Sequence, residues 1–105
     1  MLDAYNDEDL FKTTNRLRRE LVEALQGNLI PILNELSSKE IITPAERGEV
    51  SAKTVLGGEA AASHLLDIII DRKGNRKAKP FWKALWDTRD TYARVMDIFE
   101  NLSHG

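Results

Sequence analysis

Lys12, Arg16, Arg18 and Arg19 place four positive charges within eight residues, with no acid among them. Arginine at such density suits carboxylate recognition. Its planar guanidinium can grip a carboxylate with two parallel hydrogen bonds and gives up water more readily than an ammonium. From residue 20 to 50 the sign reverses, with six acids against Lys39 and Arg47, and four of them, Glu35, Glu40, Glu46 and Glu49, cluster late. A third block, from Arg72 to Lys83, holds Arg72, Lys73, Arg76, Lys77, Lys79 and Lys83 and no acid. The net charge of −2 hides this sorting. Charge laid down in blocks can build complementary patches on one small body. A plainer role competes at each block: Arg16–Glu20 and Arg19–Glu23 have the spacing of solvated intrahelical pairs, and Glu46 is placed to cap a helix.

Other chemistry finds little support. His64 and His104 have no neighbour at metal-ligand spacing, and the chain has no cysteine, so no metal or cofactor is expected. Gly57-Gly58 lacks the lysine–serine/threonine that completes a phosphate-binding loop. Nothing suggests a nucleophilic triad, so no catalytic residue is assigned and an enzyme is not expected. The Arg72–Lys83 block beside Trp82 and Trp86 offers an alternative reading, a small helical nucleic-acid-binding domain with bases for phosphates and rings for stacking. Against it, the tryptophans sit at core spacing with Phe81 and Leu85, and the pI is about 5.7. No apolar run reaches the ~20 residues of a membrane span. The acidic start lacks the basic-then-apolar order of a secretion signal. With no cysteine either, a cytoplasmic location is expected.

Six helices account for the apolar spacing. Leu10, Leu17, Leu21 and Leu25 make one face of a first helix from about Asp7 or Asp9 to Gln26, with Thr13-Thr14-Asn15 as a place to bend. A second helix follows Asn28, buries Leu29, Ile32, Leu33 and Leu36, and closes at Ser37-Ser38-Lys39, with Ile41-Ile42 plugging the core. Thr43-Pro44-Ala45-Glu46 reads as a capping box opening a short third helix that Gly48 weakens. Helix four spans about Glu59 to Lys73, ended by Gly74-Asn75. Helix five runs from about Lys79 to Asp87, and helix six from about Asp90 to Leu102, presenting Tyr92, Val95, Met96, Phe99 and Leu102. An all-α, antiparallel six-helix bundle is the expected fold.

The phrases Asn15 through Val22, Ile32 through Leu36, Ile41 through Glu46, and Leu65 through Ile69 followed by Lys73-Gly74 and Phe81 through Leu85 together resemble the caspase recruitment domains (CARDs) of the death-fold superfamily. The resemblance covers about residues 10 to 102. It implies Greek-key death-fold topology, with tails at 1–8 and 103–105 and the domain at 9–102. It also implies a non-catalytic adaptor that binds another CARD-containing protein (a caspase, receptor, kinase or scaffold) or itself, by helical oligomerisation, in apoptotic or innate immune and inflammasome signalling. On this resemblance Lys12, Arg16, Arg18 and Arg19 form a basic face and Glu35, Glu40, Glu46 and Glu49 an acidic one. Arg72, Lys73, Arg76, Lys77 and Lys79 form a secondary basic segment. One departure stands out. Where the family often opens its fourth helix with bases, this chain has Ala60-Ala61-Ala62-Ser63-His64.

Overall fold

The computed structural model describes residues 5–104 and the side chains of residues 5–102. Its elements are α1 (Asp7–Arg16), α2 (Arg18–Leu25), α3 (Ile30–Ser38), α4 (Pro44–Lys53), α5 (Gly58–Asp67), α6 (Ala78–Asp87) and α7 (Ala93–His104), and no strand occurs among the described residues. α1 and α2 are two segments of one rod, so six rods form the bundle.

The rod breaks at Leu17 (φ −100°, ψ 15°), just beyond the expected Thr13–Asn15. The threonines supply the cause. Thr13 Oγ1 donates to the Asp9 carbonyl at 2.9 Å and Thr14 Oγ1 to that of Leu10 at 2.6 Å. Such back-bonding competes with the helical ladder and bends it. Thr14 is buried and also accepts the Trp82 indole N–H at 2.8 Å, while Leu17 is only partly covered. The inward stripe of this rod is therefore Leu10, Thr14, Leu21 and Leu25. Asn6, rather than an aspartate, caps α1, accepting from the Asp9 amide at 2.8 Å.

The start of α3 shows how tertiary contacts complete a helix end. Its cap residue, Leu29, offers no side-chain acceptor. Asn28 Oδ1 instead takes the Ile30 amide at 3.2 Å, Pro31 has no amide hydrogen, and the Tyr92 hydroxyl takes the Ile32 amide at 3.2 Å. Tyr92 in turn donates to the Asn28 carbonyl. The three positions that open the helix, Ile30, Pro31 and Ile32, are thus matched or lack a donor. Burial pushes the Tyr92 phenol above its ordinary value. At its far end α3 closes in a Schellman motif, Ile41 N–H to Leu36 carbonyl at 2.8 Å and Glu40 N–H to Ser37 carbonyl at 3.1 Å. Glu40 sits at φ 58°, where glycine or asparagine is usual.

Thr43 and Glu46 form the expected capping box, with Pro44 at the first helical position. α4 runs into a 3₁₀ turn, Thr54–Leu56, and Gly57 (φ 118°) turns the chain into α5. The expected continuous helix from Glu59 to Lys73 is instead α5 followed by a π-helical turn, Ile68–Lys73. Ile68, Ile69 and Ile70 are all buried, on consecutive positions that one stripe of an α-helix cannot hold. Gly74 (φ 64°) ends it, and a 3₁₀ turn, Gly74–Lys77, leads to α6.

α1 packs on α6 and on the 74–77 turn, α2 on α5 and α7, α3 on α4 and α6, and α4 on α5. Trp82 and Phe81 fill the centre, with Ile41 and Ile42 plugging it from the α3–α4 corner. Trp82 meets Phe99 edge-on at 5.5 Å. In α7 Ile98 rather than Met96 joins Val95, Phe99 and Leu102 inside, and Met96 lies outward on the edge of the stripe. α7 continues through His104, past the expected end at Leu102, and the Tyr5 hydroxyl donates to the Leu102 carbonyl at 2.7 Å.

Candidate partner-binding surface

The break at Leu17 sorts the first basic block. Arg18, at the head of α2, turns onto α5, where its guanidinium lies 2.6 Å from Asp67 Oδ1 and donates to Ser63 Oγ at 2.9 Å and the Ser63 carbonyl at 3.2 Å. Arg18 fastens two helices. Its neighbours point out: Arg16 is exposed with no ion pair among the described residues, and Arg19 is exposed with a loose contact to Glu23 at 3.7 Å. Lys12 is exposed and 3.5 Å from Glu8. The predicted Arg19–Glu23 pair is therefore present, whereas Arg16–Glu20 is not among the ion pairs. Between α2 and α5 runs a cleft of about 470 Å³ lined by Arg18, Arg19, Val22, Glu23, Gln26, Glu59 and Ser63. Ala61 and Ala62 are buried and α5 lines the cleft with Glu59 and Ser63, so the positive charge on this face comes from the first rod.

The acidic block is brought together with part of the later basic segment. Arg72 grips Glu49 with two hydrogen bonds of 2.9 Å each, and His64 Nε2 lies 3.1 Å from Glu49 Oε1. Lys73 Nζ lies 2.7 Å from Glu46 Oε1, and Arg72 lies 3.6 Å from Glu46 Oε2. The π-helical turn positions both bases against α4, so half of the acidic block, Glu46 and Glu49, is paired within the molecule by Arg72 and Lys73. Hydrogen bonds from Arg72 and then His64 hold the Glu49 carboxyl at about 2. Burial alone would push the Glu46 carboxyl up, but Lys73 and the Thr43 amide together hold it below its ordinary value. Glu35 pairs with Lys39 at 3.4 Å, and Lys39 also reaches Asp87, whose hydrogen bond chiefly raises the lysine pKa. Glu40 stands exposed on the α3–α4 corner with no ion pair among the described residues.

Acid should loosen the α4 clamp. A carboxyl whose pKa is depressed by folding contributes stability that is present above its ordinary value and lost as pH falls through the folded value. For Glu49 that window runs from 4.5 down to about 2, and Glu46 is shifted in the same direction. The difference in thermal midpoint between wild type and Glu49→Gln should be widest at neutral pH and close towards pH 2. A difference independent of pH would show that the clamp is not what titrates.

Of the secondary segment, Arg76 is exposed and Lys77 half-buried on the 74–77 turn packed against α1, and the Lys79 amide donates to Asp7 Oδ1 at 3.3 Å. Trp82 is fully buried. Trp86 is partly covered, edge-on to Phe99 at 5.1 Å, with Arg89 4.0 Å from its ring centre. Neither ring is laid out as a stacking platform. No group of three or more metal-ligating side chains that could hold an ion, and no helix long and apolar enough to cross a membrane, occurs among the described residues.

Sequence reasoning missed Thr14, whose hydroxyl satisfies the core tryptophan, because a mid-helix threonine reads only as a weak helix former. It also missed Asp67 and Ser63 as the partners of Arg18, since a pair spanning 45 or more residues leaves no local signal. No curated protein and no solved structure matches the chain. A family model, the caspase recruitment domain, matches residues 11–98, and the chain belongs to that family.

Proposed function

We propose that this domain binds other CARD-containing proteins (a caspase, receptor, kinase or scaffold) and copies of itself, as a non-catalytic cytoplasmic adaptor in apoptotic or innate immune signalling. The observation that carries the reading is the division of the charged groups. Arg16 and Arg19 face solvent around the break in the first rod, and Glu40 faces solvent at the α3–α4 corner. Arg18, Glu46 and Glu49 are held by contacts within the fold. Lys12 and Glu35 border the two outward patches, each in a pair with a neighbour on its own helix.

Basic and acidic patches carried on different elements allow head-to-tail contact, and such contacts need not close into a ring. An open helical oligomer follows. Charge pairing then sets partner choice, orientation and encounter rate. Glu40 supports this role, because it holds a left-handed conformation that costs a non-glycine residue about 1–2 kcal/mol. Glycine there would relieve the backbone but remove the outward acid.

Reversal of Arg16 or Arg19 to glutamate is expected to weaken association about tenfold or more, with the thermal midpoint nearly unchanged. Glu40→Lys should do the same, and mixing it with Arg16→Glu should restore binding. Light scattering across a concentration series, with an added CARD partner as a second arm, reads these outcomes. Unchanged association in all the single variants would overturn the reading. Arg18 is unsuitable for this test, since its reversal would also unfasten α2 from α5.

A further inference from the structure

Thr54–Gly58 is an uncharged run between Lys53 and Glu59, exposed from Thr54 to Gly57, in a chain of which 30% is charged. It carries the two most exposed large apolar side chains among the described residues, Val55 at 87% and Leu56 at 71%. Beside it opens a groove of about 450 Å³ between the α2–α3 connection and the end of α4. Asn28, Leu29, Ile30, Leu33, Ser51 and Thr54 are among its walls, and no residue lining it is charged. Ile30, on that wall, is itself 63% exposed.

The turn that presents Val55 and Leu56 is firmly built. Gly57 adopts φ 118°, a conformation L side chains rarely hold, and a Cβ on Gly58 would lie 2.0 Å from the Gln26 carbonyl oxygen. Two glycines are thus needed, one for the turn and one to seat it against the α2–α3 connection. Val55 and Leu56 are pushed outward as a knob on a fixed base rather than as a fraying end. Thr54 and Gly58, which bracket the knob, both line the groove, so knob and groove share one face.

We propose that this face is a self-complementary contact between two copies of the chain, Val55 and Leu56 of each entering the groove of the other across a two-fold axis. A patch that carries both its projection and its socket satisfies the rule for an isologous interface, in which residue i meets j and j meets i. A second copy also fits the charge. It brings the same uncharged groove, so no charge lining the groove is desolvated on docking, and a net charge of −2 gives little long-range repulsion. Exposed apolar surface of this kind, rimmed by Asn28, Ser51 and Thr54, marks an interaction site. The contact is closed and apolar, and stands apart from the charged head-to-tail contact proposed above.

Sedimentation equilibrium of the full chain at low and high salt tests it. A dimer should form with rising concentration and persist at high salt, where exposed charge pairs are screened. Val55→Asp with Leu56→Asp should weaken that dimer at least tenfold while leaving the fold's circular dichroism unchanged. Arg16→Glu should leave the dimer intact, which separates this contact from the charged one. Because the chain has no cysteine, a Val55→Cys protein mixed with an Ile30→Cys protein should cross-link faster than Val55→Cys mixed with Arg76→Cys. A wild-type monomer at every concentration, a dimer abolished by salt, or a double aspartate variant that pairs normally would each overturn the proposal.

Discussion

Trp82→Ala should lose about 3–5 kcal/mol of stability, the range for removing a fully buried large aromatic side chain. Domains of this size are stable by ~5–15 kcal/mol in total, so the variant should be partly unfolded near physiological temperature. Trp82 has no exposed surface and is flanked by Phe81 at 6.3 Å and Phe99 at 5.5 Å, both edge-on. Its indole N–H donates to Thr14, whose own hydroxyl donates to the Leu10 carbonyl. That relay allows a second measurement. Thr14→Val leaves the indole donor buried without an acceptor, at a cost of about 1–3 kcal/mol. In a Trp82→Phe background there is no donor to strand, so Thr14→Val should cost clearly less. Urea unfolding of the four proteins gives the coupling directly. Equal effects of Thr14→Val in both backgrounds would show that the relay contributes nothing. Trp86→Ala should cost less than Trp82→Ala, since Trp86 is already partly in water.

Gly58→Ala should be nearly as damaging, although it adds one methyl group. That carbon would lie 2.0 Å from the Gln26 carbonyl oxygen and 3.0 Å from its carbonyl carbon, both backbone atoms that cannot swing aside. Relief requires the α2–α3 connection to move away from the start of α5. Overpacking of this kind costs about 1–3 kcal/mol and occasionally more, and the upper end is expected here. Gly48→Ala provides the contrast. It lies within α4 with nothing within 4 Å of an added Cβ, so the gain in helix preference should stabilise the domain by about 0.5–1 kcal/mol. Opposite signs for the two substitutions in urea unfolding are the expected result, and a neutral Gly58→Ala would mean that the close approach is not maintained. The same variant should loosen the seat of Val55 and Leu56 and so weaken the proposed two-fold contact.

The fold was largely legible because its signals are local. Leucine and isoleucine at three- and four-residue steps, the Thr43–Glu46 box and Gly74 each act through residues within one or two turns, and each element lies near its expected place. Departures arise where a side-chain hydroxyl, a distant group or a crowded run of apolar residues overrides the simple helical stripe. The rod bends at Leu17, just beyond the threonines, whose hydroxyls turn back onto their own helix, that of Thr14 also accepting from Trp82. The start of α3 depends on Tyr92, 60 residues away from the amide it caps. Three consecutive buried isoleucines widen the end of helix four into a π-helical turn.

The candidate surface was less legible for the same reason. Chain order shows how many charges each segment carries, and the all-helical bundle and its family phrases follow from that order together with apolar spacing. Which charges remain available is a matter of pairing between segments. Only the tertiary structure brings Glu49 to Arg72, Glu46 to Lys73 and Arg18 to Asp67, and so leaves Arg16, Arg19 and Glu40 outward. The physical reason is range: helix preference is decided within a few residues, whereas an ion pair needs two side chains within about 4 Å, wherever the chain happens to fold them.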